Sequence, residues 1–137
     1  MLGEVIVDGQ GKLTTQRVLP SDGPLPKLEV TFELLGTVLG KPAKTFVTYW
    51  SAVQPDGSLY GECPSQGVVM TEDGESATFR AAGAGNFTGP GGAVAYRGAI
   101  YYQTTVESLA ALNGLAIVYE WDVDAEGNAT FKGWEWK

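Results

Sequence analysis

Strict two-residue alternation in residues 28–34 is the feature that most constrains the fold of this chain. Apolar side chains occupy every second position and polar side chains the positions between, namely Leu28, Val30, Phe32 and Leu34 against Glu29, Thr31 and Glu33. Successive side chains of a β-strand point to opposite faces, so this pattern predicts a half-buried strand. Similar short segments, rich in β-branched and aromatic residues, recur along the chain.

These segments are separated by turn residues, which predicts an all-β fold. The predicted strands are 4–7, 13–19, 27–35, 44–53, 58–63, 66–71, 76–81, 93–104, 115–123 and 129–136. Turns are expected at Gly9-Gln10-Gly11, Pro55-Asp56-Gly57, 72–75 and 124–128, where Gly, Pro and Asp favour tight reversals. Eight to ten strands fit a sandwich or a barrel. We favour a closed antiparallel barrel of eight strands, because closure removes exposed edges.

Residues 106–112 are the only helical candidate in the chain. Thr105 is the expected cap at the start of this helix and Gly114 its expected end. At about two turns it predicts a plug or a connector rather than a packing layer.

Composition places the chain in one domain, residues 1–137, with enough hydrophobic residues (44%) for a core. Sixteen acidic residues outnumber nine scattered basic ones, so nucleic acids and anionic membrane surfaces are not expected as partners. The single cysteine, Cys63, excludes an internal disulfide and fits a reducing compartment. No basic leader or long apolar run is present, which predicts a cytoplasmic protein.

Histidine is absent, which excludes Ser-His-Asp and Cys-His catalysis and histidine-based metal sites. Residues 122–128 place acidic and amide side chains at alternate positions, but the spacing of a calcium loop is not met. We therefore predict no metal and no cofactor. Any chemistry must use carboxylates, Tyr, Lys, Arg or the single thiol.

Glu62 and Arg97 are the candidate catalytic pair. Arg97 alternates with small and polar residues in the series Ala95, Arg97, Ala99, Tyr101, Gln103, and such a cation can bind a carboxylate or stabilise an oxyanion. A carboxyl such as Glu62, if it lies in an apolar pocket, has a raised pKa and can act as an acid or base. The alternative for both is an ordinary outer-face residue, with Arg97 paired to a surface acid.

Four further polar residues are candidates for ligand binding: Tyr49, Gln66, Tyr101 and Gln103. The hydroxyl of Tyr49 can donate a hydrogen bond to an oxyanion, although such tyrosines also occur as ordinary core. Gln66 can bind a ligand carbonyl or satisfy the backbone near Pro64. Tyr101 and Gln103 share the predicted face of Arg97. Cys63 has no histidine to activate it, so it is expected to be a buried inert thiol.

The glycine-rich segment 83–92, with the pattern Gly-x-Gly-x-Phe-x-Gly-x-Gly-Gly followed by Gly98, resembles the glycine-rich hairpin of allene oxide cyclase-like and dirigent-like barrels. It contains Gly-x-Gly, but it lacks the Lys or Ser and the helix of a phosphate loop, so we interpret it as a barrel corner. The resemblance implies an eight-stranded barrel with an apolar cavity, often trimeric. It also implies that shape steers the cyclisation or coupling of small apolar molecules. It carries no catalytic residue onto this chain.

Three functions remain open at this level. The first is an apolar-ligand barrel that acts as a cyclase or isomerase, and the second is a carrier of the same kind of small apolar ligand without catalysis. The third is a structural or interaction protein with a filled barrel and an exposed aromatic patch. We expect a homo-oligomer, either a dimer or a trimer, in each case.

Overall fold

The computed structural model describes all residues, 1–137, and its architecture is a closed antiparallel barrel of eight strands with one short 3₁₀ helix. The strands are β1 (Leu2–Leu19), β2 (Lys27–Val38), β3 (Lys41–Val53), β4 (Leu59–Thr71), β5 (Ser76–Phe87), β6 (Val94–Gln103), β7 (Ile117–Val123) and β8 (Asn128–Trp136). Each strand pairs with its neighbours in sequence, and β8 pairs with β1 to close the sheet. The predicted fold class is confirmed.

The inward face is the one that the alternation indicated. In β2, Val30, Phe32 and Leu34 are buried, and Glu29 and Glu33 alternate with them. In β7 the buried positions are Ile117, Trp121 and Val123, which join one core with residues from every other strand. Burial of these apolar faces against one another supplies the driving force for closure.

The turn predicted at Gly9-Gln10-Gly11 is wrong, because β1 runs without a break through these residues. A side chain at Gly11 would clash with the backbone of Glu33, and one at Gly36 with the backbone of Asp8. These glycines therefore allow β1 and β2 to approach closely and to coil around the barrel. Besides forming turns, glycine commonly serves to bring the backbones of neighbouring strands close together. Segments 4–7 and 13–19 are two parts of one strand.

Segments 58–63 and 66–71 also join into one strand, β4. The register shifts between Cys63 and Gly67, and Ser65 between them has a positive φ of 58°. This irregularity produced the appearance of two strands, because it interrupts the two-residue period without ending the ladder.

One half of the glycine-rich segment, residues 83–87, belongs to β5, and the other half, residues 88–92, forms the turn towards β6. Gly83 and Gly85 are paired strand residues, and the chain turns only after Phe87, with Gly91 and Gly92 at positive φ. The predicted turns at Gly57, 72–75 and 124–128 are confirmed, since Gly57, Gly74 and Gly127 adopt positive φ there.

The helical prediction over 106–112 corresponds to a 3₁₀ helix, Glu107–Leu112. Its start is held by Thr104 rather than Thr105, because Thr104 Oγ1 accepts a hydrogen bond from the Val106 backbone N–H at 3.0 Å. Leu109 and Leu112 are fully buried at the end of the barrel where β6 ends and β7 begins. The helix is thus a plug for that end. None of the helical structure is long and apolar enough to cross a membrane.

Candidate functional site

A cavity of about 50 Å³ lies inside the barrel. Eleven of its 14 lining residues are hydrophobic. The lining residues are Leu34, Thr45, Val47, Tyr49, Gly61, Glu62, Cys63, Phe79, Ala81, Tyr96, Ile100, Tyr119, Trp121 and Phe131. At about 10–15 Å³ for each water-sized group, the cavity has room for about three to five such groups. It suits a compact apolar molecule.

Glycines on neighbouring strands make space for the aromatic side chains of this cavity. Gly61 pairs with Gly83, and Gly83 pairs with Gly98, in one row across β4, β5 and β6. A Cβ at Gly83 would clash with the hydroxyl of Tyr119, and a Cβ at Gly85 would lie 3.0 Å from the ring of Tyr96. Gly83 of this row and Gly85 beside it therefore let two phenols lie against bare backbone.

Three phenols, Tyr49, Tyr96 and Tyr119, line the cavity together with the polar side chains of Thr45 and Glu62. Tyr49 Oη accepts a hydrogen bond from Trp121 Nε1 at 3.0 Å, which leaves its own proton free to be donated. Tyr96 Oη is hydrogen-bonded to Ser51 Oγ, and the rings of Tyr49 and Tyr96 are 6.1 Å apart in an edge contact. Tyr119 Oη has no hydrogen-bond partner within the protein. Two phenol protons are thus available to a molecule in the cavity.

Burial raises the pKa of all three phenols above the usual value of 10.0. For Tyr49, desolvation is the largest cause, and the hydrogen bond from Trp121 opposes it only in part. Burial likewise raises the pKa of Tyr119, and the nearby Tyr96 adds to the shift. A phenol with a raised pKa is neutral at physiological pH, so these groups act as hydrogen-bond donors rather than bases.

Cys63 and Tyr102 lie near each other, towards the plugged end. Burial raises the pKa of the Cys63 thiol, which remains only 2% exposed. Tyr102 packs against Phe79 with ring centroids 5.0 Å apart, and its buried hydroxyl has no hydrogen-bond partner. A protonated thiol without a neighbouring base is a poor nucleophile, in keeping with the interpretation of Cys63 as inert.

The structure places the candidate catalytic pair on the outer surface of the barrel. The Glu62 carboxylate accepts a hydrogen bond from Tyr60 Oη at 2.7 Å; Tyr60 is exposed and Glu62 is half-buried. Arg97 is exposed and forms an ion pair with Asp122 at 3.0 Å, with Glu120 3.9 Å away. Glu62 and Arg97 lie on β4 and β6, with β5 between them. Glu62 borders the cavity, whereas Arg97 is not among the lining residues.

Of the four candidate ligand-binding residues, Tyr49 alone lines the cavity. Gln66 is exposed beside the irregularity of β4, and Tyr101 and Gln103 are exposed on the outer face of β6. Their proposed roles in binding stay predictions, as does the role of the Glu62–Arg97 pair.

Sequence reasoning did not select three residues that the structure brings together in the cavity: Tyr96, Tyr119 and Trp121. The signal available in the sequence was the position of these residues in the two-residue alternation of their strands. Tyr119 and Trp121 lie on the apolar face of β7, and Tyr96 alternates with Gly98 and Ile100 in β6. A tyrosine or tryptophan at an inward-facing position of a strand is the pattern that identifies such residues.

Comparison with solved structures places the chain among proteins of the same fold. A conserved protein of unknown function from Rhodopseudomonas palustris matches with a TM-score of 0.78 and 10% identity, over 98% of this chain and 97% of that chain. A protein of unknown function from Clostridium acetobutylicum ATCC 824 matches with a TM-score of 0.72 and 13% identity, over 98% of each chain. No family model and no curated protein matches the sequence. The likeness concerns the eight-stranded barrel fold alone.

Proposed function

We propose that this protein binds a small, mostly apolar molecule with one hydrogen-bond acceptor, such as a carbonyl oxygen, inside the barrel. The observation that carries this proposal is the apolar cavity into which Tyr49 and Tyr119 present unused hydroxyl protons. Apolar walls with a few placed polar groups are the usual composition of small-molecule sites.

The ionisable groups that line the cavity favour binding over acid–base catalysis. Glu62 is the one ionisable carboxylate among the lining residues, and its oxygen is engaged by Tyr60 on the outer face. The phenols and the thiol are held neutral by burial. A non-catalytic carrier is therefore the first candidate. The free Cys63 thiol is compatible with a cytoplasmic location, which stays a prediction.

The second candidate is a cofactor-free cyclase or isomerase, as the resemblance to allene oxide cyclase-like barrels implies. The neutral phenols of the cavity support it, because hydrogen-bond donors in a dry cavity stabilise negative charge that develops on a substrate oxygen. Such an enzyme would act on reactions driven by polarisation of an oxygen, since no strong base lies in the cavity.

Titration with two matched probes tests binding. Acetone and isobutane have nearly the same shape, and with four non-hydrogen atoms each they fit the cavity volume, but only the ketone accepts a hydrogen bond. Methyl resonances of Leu34, Val47 and Ile100, which line the cavity, report occupancy by NMR. We expect both probes to shift these resonances, with the ketone bound more tightly by about 2- to 10-fold, the value of one net hydrogen bond.

Variants of the cavity complete this test. Tyr49→Phe and Tyr119→Phe should remove the preference for the ketone, whereas Tyr101→Phe, on the outer face, should leave it unchanged. Ala81→Leu should weaken the binding of both probes, because the larger side chain fills the cavity. Resonances that do not move with either probe would refute the proposal. A ketone preference that survives in both phenol variants would refute the assigned donors.

Native mass spectrometry of freshly purified protein separates the two candidates. A carrier is expected to retain a small molecule, whose mass identifies its class. If that molecule is released only after chemical conversion, and the conversion slows in the Tyr119→Phe variant, the enzyme is favoured over the carrier.

A further inference from the structure

An apolar stripe crosses the outer face of five adjacent strands. Cross-strand pairing aligns its members in one row from β5 through β8 to β1, and these are Ala82, Ala99, Val118, Trp134 and Val5. They alternate along their strands with buried residues, so their side chains point outward. Val5 is 44% exposed, and Leu2 (54%) and Trp136 (56%) extend the apolar surface beside it. Ala82, Ala99, Val118 and Trp134 are half-buried, so the row as a whole is a partly exposed apolar surface.

A row of four charges runs beside the stripe. It comprises Arg97, Glu120, Lys132 and Asp8, which are cross-strand neighbours on β6, β7, β8 and β1. The signs alternate strictly, from plus to minus to plus to minus. A row of this pattern is complementary to its own reversed copy, because reversal places every cation opposite an anion.

We propose that this face binds a second copy of the chain, with a twofold axis parallel to the strands and between β7 and β8. In a twofold dimer the same surface contacts itself in reverse order. Glu120 then faces the partner's Lys132, and Arg97 faces the partner's Asp8. Such complementarity fixes the orientation and register of the two subunits.

The same axis pairs large with small residues along the apolar stripe. Trp134 lies against the partner's Val118, and Val5 against the partner's Ala99. An outer groove of about 480 Å³, lined in part by Asp8, Glu120 and Lys132, leaves space for water between the charged rows. The stripe thus supplies buried apolar area with Trp134 as its anchor, and the charges select the geometry.

Charge reversal with mixing tests this arrangement. In a dimer of the Glu120→Lys variant, the introduced ammonium group would face the partner's Lys132 at two symmetric contacts. In a dimer of the Lys132→Glu variant, two pairs of carboxylates would face each other. We expect each variant alone to dimerise about tenfold more weakly than the wild type. A mixture of the two variants restores opposite charges at the central contacts, so heterodimers should be strongly preferred over either homodimer.

Isotope labelling of one variant lets native mass spectrometry count heterodimers, and analytical ultracentrifugation gives the affinities. The wild type should sediment at twice the mass of the 14.5 kDa chain. Val18→Lys, at an exposed apolar site outside the stripe, is the matched control and should not change the affinity. Circular dichroism confirms that each variant is folded.

Several outcomes would overturn the proposal. A wild type that remains monomeric at high concentration, or that forms a trimer, excludes this dimer. Random mixing of the two variants would show that the charge row does not face itself, because repulsion within each chain is unchanged by mixing. The test is independent of ligand binding, since the row and the cavity lie on opposite faces of the sheet.

Discussion

Replacement of Gly83 by alanine tests whether the glycines of β5 make room for the cavity phenols. The new Cβ would clash with Tyr119 Oη, and would lie 3.2 Å from Tyr119 Cζ and 3.1 Å from the Arg97 carbonyl oxygen. Overpacking of this kind costs about 1–3 kcal/mol. Alanine also restricts the unfolded chain, which offsets about 0.4–1 kcal/mol. We expect a net loss of about 1–2 kcal/mol in the free energy of unfolding.

The same replacement in a Tyr119→Phe background isolates the role of the phenol. Removal of Oη leaves Cζ as the nearest ring atom, at a distance that a shift of a few tenths of an ångström relieves. The cost of Gly83→Ala should therefore fall by about 1 kcal/mol, a coupling typical of residues in contact. Urea unfolding, followed by tryptophan fluorescence, measures all four proteins.

Gly89→Ala is the control, because a Cβ at that turn position meets no atom within 4 Å. It should change the free energy of unfolding by no more than the entropic gain. If Gly83→Ala costs the same with Tyr and with Phe at position 119, the glycine serves the close approach of backbones alone. The assignment of the glycine row to cavity formation would then be refuted.

Two further outcomes follow from burial. Four phenols have a pKa raised from 10.0 mainly by desolvation, namely Tyr49, Tyr96, Tyr102 and Tyr119. Above pH 10 the unfolded state binds fewer protons than the folded state, so the free energy of unfolding falls by up to about 1.4 kcal/mol per pH unit for each phenol. We expect their ionisation, followed by ultraviolet absorbance, to coincide with cooperative alkaline unfolding, and gradual ionisation in a folded protein would contradict this. Leu112→Ala should cost about 2–5 kcal/mol in urea unfolding, because it empties part of the plug, whereas Leu35→Ala, at a 66% exposed site, should cost under about 1 kcal/mol.

The barrel could be predicted from those segments whose local sequence pattern is consistent with only one structure. Alternation in β2 specifies the inward face directly, since Phe32 in the other phase would leave a glutamate inside. Gly57 and Gly127 follow aspartate or glutamate in polar segments between apolar runs, and this context favours positive φ. Closure also followed, because many short paired strands leave edges that a barrel removes.

Glycines inside strands were not predictable, because the same residue signals a turn or a close approach. Gly11 lies between polar neighbours, as a turn residue does, but its requirement comes from the backbone of Glu33, 22 positions away in sequence. The distinction depends on the partner strand, and local sequence does not contain that information. The split of β4 at Ser65 has the same cause.

The candidate residues of β6 lie on the face opposite the cavity for a related reason. This strand carries tyrosines in both phases, with Tyr96 and Tyr102 inside and Tyr101 outside. The small residues beside Arg97 made its face resemble a cavity wall, whereas in the structure the space comes from inward-facing glycines such as Gly83 on the neighbouring strand β5. A slip of one residue in phase exchanges the interior for the exterior.

The two-residue period of the strands also places the two proposed functions on opposite faces of the same sheet. Tyr96 and Arg97 are consecutive, as are Tyr119 and Glu120, so each strand presents a phenol to the cavity and a charge to the outside. Burial of a charge has a large desolvation cost and requires a partner of opposite charge. A phenol, in contrast, offers a hydrogen bond while it remains neutral. The interior can therefore hold a small ligand without any ion, and the outer charges are free to orient a second subunit. Substitutions in one set should leave the other function intact.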